Sequence, residues 1–240
     1  MTTTYQTFGD VPTVLLYENE LEASSQKGCV LCFHGLTSSK NDWLHELAKI
    51  AERGFLVVGV DNVGHGERRY LDFDTRFAES NLDFYDNFLD AVAETARDLP
   101  SLIDALIEAG LVVNDRVGVL GVSMGGYIAY AAVGLEPRVQ AVVTIVASPE
   151  WLEHPNSPHH QIDKFAKVKL LSQTAGIDDV VPSRYARAFH ERLNETYADY
   201  DERFAYIDYP ESNHQLNPDW ELCWARAIAW FEEHLAPPAN

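Results

Sequence analysis

Apolar positions along the chain fall in short unbroken runs separated by longer amphipathic stretches. Gly28 to Phe33, Phe55 to Val60, Arg116 to Leu120 and Val139 to Ala147 are almost wholly apolar and of strand length, as expected of strands covered on both faces. Leu170 to Thr174 and Phe204 to Tyr209 predict two more, and the weak alternation of Val11 to Glu18 predicts an early antiparallel strand. Between them, Trp43, Leu44, Leu47, Ile50 and Ala51 follow helical spacing, predicting a helix over Asp42 to Arg53 capped by Asn41 and stopped by Gly54. Leu82 to Gly110 reads as helical with a break near Pro100, and the helix after Ser123 ends by Leu135, ahead of Pro137. Arg184 to Tyr197 and Trp220 to Leu235 are amphipathic helices. Two stretches lack a period: Arg69 to Asn81 reads as an exposed excursion, and Pro149 to Lys169 as an irregular surface loop.

Strand, helix, strand at this spacing is a βαβ unit, which implies parallel strands joined by right-handed crossovers. Apolar strands alternating with helices place the chain in the α/β class, with helices on both faces of the sheet. No repeat or linker interrupts the pattern, so residues 1–240 predict one domain.

Charge narrows the partners. The 37 acidic and 18 basic residues leave a net charge of −19, which argues against nucleic acid and anionic membranes. It also disfavours a strongly anionic substrate unless a local basic pocket overrides it. There is no apolar run of transmembrane length and no signal-peptide pattern at the N-terminus, so a cytoplasmic location is expected. The C-x-x-C of Cys29 and Cys32 lies in an apolar strand, where residues three apart face opposite ways. Buried free thiols, as in a reducing compartment, are therefore expected. His154, His159 and His160 lack a regularly spaced acidic ligand, so that segment predicts no metal site.

Candidate chemistry gathers after the strands, where ligands bind in open parallel sheets. Gly121-Val122-Ser123-Met124-Gly125 sits between a predicted strand and a predicted helix. That context makes Ser123 a candidate nucleophile on a sharp, strained turn at a helix N-terminus. Serine needs an adjacent base. His214 follows the last strand and is the candidate, with Asp178 or Asp179 as the carboxylate that fixes its tautomer. The backbone N–H groups of Leu36 and Met124 are candidate oxyanion donors, each worth roughly 3–4 kcal/mol in such sites. His34 and Gly35 are read as ordering the loop that carries Leu36.

His34 to Lys40 (HGLTSSK), Asp61 to Arg68 (DNVGHGER), GVSMGG and the DDVVP…NHQLNP segments together resemble the α/β-hydrolases, over residues 34 to 218. The likeness is to small bacterial carboxylesterases and to the dienelactone hydrolase and prolyl-oligopeptidase-like branch. It implies a mostly parallel, twisted sheet of about eight strands with little or no lid. The family's Gly-x-x-Asp-x-x-Val-Pro pattern departs here: counting from Gly176 selects Asp179, counting back from Pro182 selects Asp178. An alanine at 175 in place of glycine reconciles the pattern with Asp178, the preferred triad acid, with Asp179 the alternative. Asp61 and Gly64-His65-Gly66 are implied to shape a loop beside the site. The resemblance implies a serine carboxylesterase without metal or cofactor, acting on a small-molecule, short-chain ester through a Ser123 acyl-enzyme. Thioesterase and acyltransferase activity use the same groups, and a non-catalytic ligand-binding protein is the alternative from another class.

Overall fold

The apolar runs lie side by side in one eight-stranded sheet in the computed structural model of the chain, which describes residues 1–18, 20–152 and 154–235. The strands are β1 (Thr2–Phe8), β2 (Val11–Tyr17), β3 (Cys29–Phe33), β4 (Leu56–Val60), β5 (Val117–Val122), β6 (Val139–Ile145), β7 (Lys169–Ala175) and β8 (Phe204–Tyr209). Their order is β1-β2-β4-β3-β5-β6-β7-β8. The β1–β2 and β2–β4 pairs are antiparallel and the others parallel. The direction of strand progression reverses between β3 and β5, which opens a crevice at their carboxyl ends.

The helices are α1 (Leu21–Lys27), α2 (Leu44–Ala51), α3 (Phe73–Arg76), α4 (Phe84–Glu108), α5 (Met124–Leu135), α6 (Arg184–Thr196), α7 (Tyr200–Arg203) and α8 (Trp220–His234). Alternation along each buried strand divides the core into two layers. Cys29, Leu31 and Phe33 join one with α4, α5 and α6; Val30 and Cys32 join the other with α2 and α8. Cys29 and Cys32 thus lie on opposite faces as buried free thiols. Burial pushes the Cys29 thiol up to about 12, so thiolate chemistry is suppressed there.

Several sequence expectations need correction. Strand β1 was not expected, because its side chains are exposed on both faces except Phe8 and leave no period to read. Its β-branched threonines favour a strand, and it pairs along its whole length with β2. Asp42, rather than Asn41, organises the start of the second helical segment: its carboxylate accepts the Ser39 N–H at 2.8 Å, and a short 3₁₀ turn, Lys40–Trp43, precedes α2. Helix α4 runs through Pro100 without a break. Leu99, Leu102 and Ile103 pin both sides of the proline into the core, so packing outweighs the lost hydrogen bond. The 69–81 excursion buries Phe73 and Phe77 against the His65 ring, at 4.9 and 5.5 Å. The 149–169 segment is anchored inside by Trp151, Ser157 and Phe165, all 1% exposed or less.

One buried polar cluster spans the β7 side of the core. The Ser172 hydroxyl lies 2.7 Å from the Tyr130 hydroxyl and 2.8 Å from His190 Nε2, and His190 Nδ1 lies 2.8 Å from the Tyr200 hydroxyl. Burial pushes His190 down to about 3. The unfolded chain binds a proton at this residue below about 6.5 while the native state does not. Its contribution to stability is therefore intact above 6.5 and is lost as pH falls from 6.5 towards about 3. Urea unfolding at pH 7 and pH 4.5 checks this. The wild type should lose up to about 1.4 kcal/mol per pH unit more than His190→Phe over that window. Equal losses would show that His190 does not resist protonation.

Candidate active site

The turn between β5 and α5 sets the position of Ser123. Its backbone lies at φ 53° and ψ −117°, on the side of conformational space that a β-substituted residue rarely adopts. The Ser123 N–H donates to the Ile145 carbonyl at 2.8 Å, and its own carbonyl accepts from Gly126 and Tyr127 at 2.8 and 3.2 Å. Those bonds tie the turn to β6 and start α5. Glycine is required on either side. A Cβ at Gly121 would meet the Gly125 carbonyl oxygen at 1.9 Å, and one at Gly125 would meet the Phe33 carbonyl oxygen at 2.0 Å. The turn is thereby pressed against the end of β3.

His214 lies between β8 and α8. Its Nε2 is 3.0 Å from Ser123 Oγ and its Nδ1 is 2.8 Å from Asp178 Oδ2. With the proton on Nδ1, the imidazole donates to the carboxylate and Nε2 is free to accept the serine O–H. The Asp178 side chain is inaccessible to solvent. Its other oxygen accepts the N–H groups of Val180 and Val181 at 2.9 and 2.8 Å, which fixes the carboxylate plane. The Gly176 and Ile177 N–H groups donate to the Tyr209 and Ser212 carbonyls, tying the Asp178 loop to the His214 loop. Asp179, the alternative acid, is exposed, and among the described residues it makes no bond to His214. The structure therefore brings together Ser123, His214 and Asp178 and leaves Asp179 outside.

The loop after β3 closes the other side. Gly35 lies against Ser123, with a notional Cβ 3.8 Å from the Ser123 Cβ. Among the described residues, neither the Leu36 nor the Met124 N–H donates to a protein acceptor. His34 turns away from the serine. Its Nδ1–H donates to the Gly35 carbonyl at 2.8 Å, and its Nε2 accepts the Asn62 N–H at 3.1 Å. The Asn62 amide in turn donates to the His34 carbonyl at 2.9 Å. Burial pushes His34 down to about 4, so the ring is neutral at pH 7 and serves as a fixed hydrogen-bonding strut.

Beneath that loop sits a pair of opposite charges that sequence reasoning missed. Lys40 Nζ lies 2.6 Å from Asp61 Oδ2 and 2.6 Å from Glu67 Oε1, and both the Lys40 and Asp61 side chains are solvent-inaccessible. Asp61 also accepts the backbone N–H groups of Lys40 and Glu67, each at 2.9 Å. Burial disfavours both charges, but these hydrogen bonds more than offset it: the lysine is held above and the aspartate below its ordinary range. The signal in the sequence was Asp61 itself, an acid directly after a wholly apolar strand, which demands a buried partner. The histidines of the 149–169 segment serve that loop: His159 Nδ1 lies 2.6 Å from the Ser157 hydroxyl, and the His159 and His160 rings are 3.8 Å apart.

Comparison with known proteins identifies relatives of the chain as a whole. The family model described as "Serine aminopeptidase, S33" matches residues 24–175. The Bacillus subtilis protein named "Putative esterase YitV" is 26% identical over 236 residues, covering 86% of this chain and 89% of that protein. "Esterase YjfP" of Escherichia coli is 22% identical over 234 residues, with the same coverage on both sides. In fold, the chain is similar to TT1662 from Thermus thermophilus, with a TM-score of 0.82 at 20% identity, covering 100% of this chain and 99% of that one. Among the described residues no helix is long and apolar enough to cross a membrane.

Removing the lysine would leave Asp61 charged and buried. Lys40→Met should lower the unfolding free energy by about 3–5 kcal/mol, read from urea denaturation. A loss below about 1 kcal/mol, as for an exposed pair, would contradict the burial described here.

Proposed function

The chain belongs to the serine aminopeptidase, S33, family of α/β-hydrolases, and on that premise we propose that it is a serine hydrolase that cleaves short-chain carboxylic esters. The observation that carries this reading is the unbroken line from Asp178 through His214 to Ser123 Oγ, ending on a strained turn. His214 takes the Ser123 proton as the hydroxyl attacks the ester carbonyl, and Asp178 stabilises the imidazolium that forms. The Leu36 and Met124 N–H groups receive the developing oxyanion. His214 returns the proton to the leaving alcohol, and a water activated by the same imidazole cleaves the acyl-enzyme. Every step uses groups of the chain itself and calls on no metal or cofactor.

Two relatives carry the word esterase in their names, which favours an oxygen ester over an amide as the scissile bond. The short 149–169 segment, folded back on Trp151 and Phe165, leaves little chain to build a cap for long acyl groups. The single domain over residues 1–240 and the small-molecule substrate belong to the same proposal.

Hydrolysis of p-nitrophenyl esters from acetate to laurate, with alanine p-nitroanilide and an acyl thioester as contrasts, tests this. The highest kcat/KM should fall on the short-chain oxygen esters. Ser123→Ala and Asp178→Asn should each cost roughly 10⁴-fold or more in kcat, while Asp179→Asn should stay within about twofold. A preference for the anilide would transfer the site to peptides, and an Asp179→Asn loss equal to that of Asp178→Asn would overturn the assignment of the acid.

A further inference from the structure

A partly open cavity lies away from Ser123, between α4, α5 and the 149–169 segment. The cavity measures about 190 Å³. It exists because small residues face each other where larger ones would fill the gap: Ala93 and Ala96 on α4, Ala131 and Gly134 on α5. Phe165 and Trp151 complete its apolar wall, and Arg97 and Gln161 add polar groups. An engineered apolar cavity of about 150 Å³ holds benzene, so this volume suits a ligand of roughly six to eight non-hydrogen atoms.

Among the described residues, two groups lining this cavity have unused donors: the Trp151 indole N–H and the terminal nitrogens of Arg97. Trp151 is 1% exposed, yet its indole N–H meets no acceptor among the described residues. Such a group costs about 1–3 kcal/mol unless something accepts its proton. Arg97 is exposed and uses Nε on the Ala93 carbonyl at 3.1 Å. The adjacent Asp98 is taken by Arg68 at 2.5 Å, and among the described residues no carboxylate pairs with Arg97. The cavity thus combines an apolar interior, a buried donor and a guanidinium that pairs with no carboxylate among the described residues, in a chain whose net charge of −19 otherwise repels anions.

We propose that this cavity is a binding site for a small aliphatic or aromatic monocarboxylate, whose tail packs between α4 and α5 while its oxygens meet Arg97 and the Trp151 indole N–H. The site is separate from the Ser123 chemistry. It stands or falls independently of the esterase reading.

The probe is sodium hexanoate, titrated into the Ser123→Ala protein while the five tryptophan indole N–H signals are followed by ¹⁵N-resolved NMR. Trp151→Phe assigns the Trp151 signal. The Trp151 indole proton should move downfield and saturate. Arg97→Met should weaken binding about tenfold or more, and 1-hexanol should bind at least tenfold more weakly than hexanoate. Ala131→Leu, which fills the cavity, should abolish the shift; Ala93→Met repeats that arm if the leucine variant does not fold. Absence of saturation, equal affinity for hexanol, or an unchanged titration in the filled variant would each overturn the proposal. Because Ser123 is absent from the titrated protein, failure here leaves the hydrolase reading untouched, and loss of ester hydrolysis leaves this one untouched.

Discussion

The closeness of three pieces of backbone governs this molecule. The end of β5, the start of α5 and the end of β3 approach until no Cβ fits at Gly121 or Gly125. That contact forces Ser123 into positive φ, sets its hydroxyl above the sheet, and brings the Gly35–Leu36 loop alongside it. Backbone strain of this kind costs of order 1–3 kcal/mol and persists only where the surroundings over-determine it. Here they do, because the Ser123 N–H is held by β6, α5 starts from its carbonyl, and both helix and strand are buried in the core.

Around that contact the electrostatics divide into moving and fixed parts. In the proposed chemistry only His214 changes its charge, supported by a carboxylate already saturated by two backbone N–H groups. The neighbouring histidine, His34, is held neutral by burial and anchored at both ring nitrogens. Two further buried charges, Lys40 and Asp61, are committed to each other and to the backbone of the loops beside the site. Such a division keeps the surrounding dipoles still while charge develops on the substrate, the condition under which preorganised donors contribute most.

Much of this was legible in the residues, for identifiable reasons. Strands β3 to β6 announce themselves because burial on both faces demands nearly continuous apolar runs, and G-x-S-x-G between strand and helix has little other use. The same logic found His214 at the strand ends and preferred Asp178, the carboxylate that the structure sets against it. What the sequence hid lay where local pattern and tertiary packing part company. A fully solvated strand such as β1 has no hydrophobic period to detect. Pro100 obeys its neighbours' packing rather than its own preference. Phe73, Phe77, Trp151 and Phe165 sit in aperiodic segments whose burial comes from distant contacts. Lys40 looked like one more surface lysine, and only its distance from Asp61 reveals otherwise.

The proposed chemistry requires Ser123 to be a nucleophile activated by His214. The most direct measurement is mass spectrometry of the intact and digested protein after exposure to a fluorophosphonate. One adduct per chain is expected, located on Ser123, and formed at least about a hundredfold more slowly in His214→Ala. No adduct on the folded protein, labelling of another residue, or an undiminished rate without His214 would contradict it.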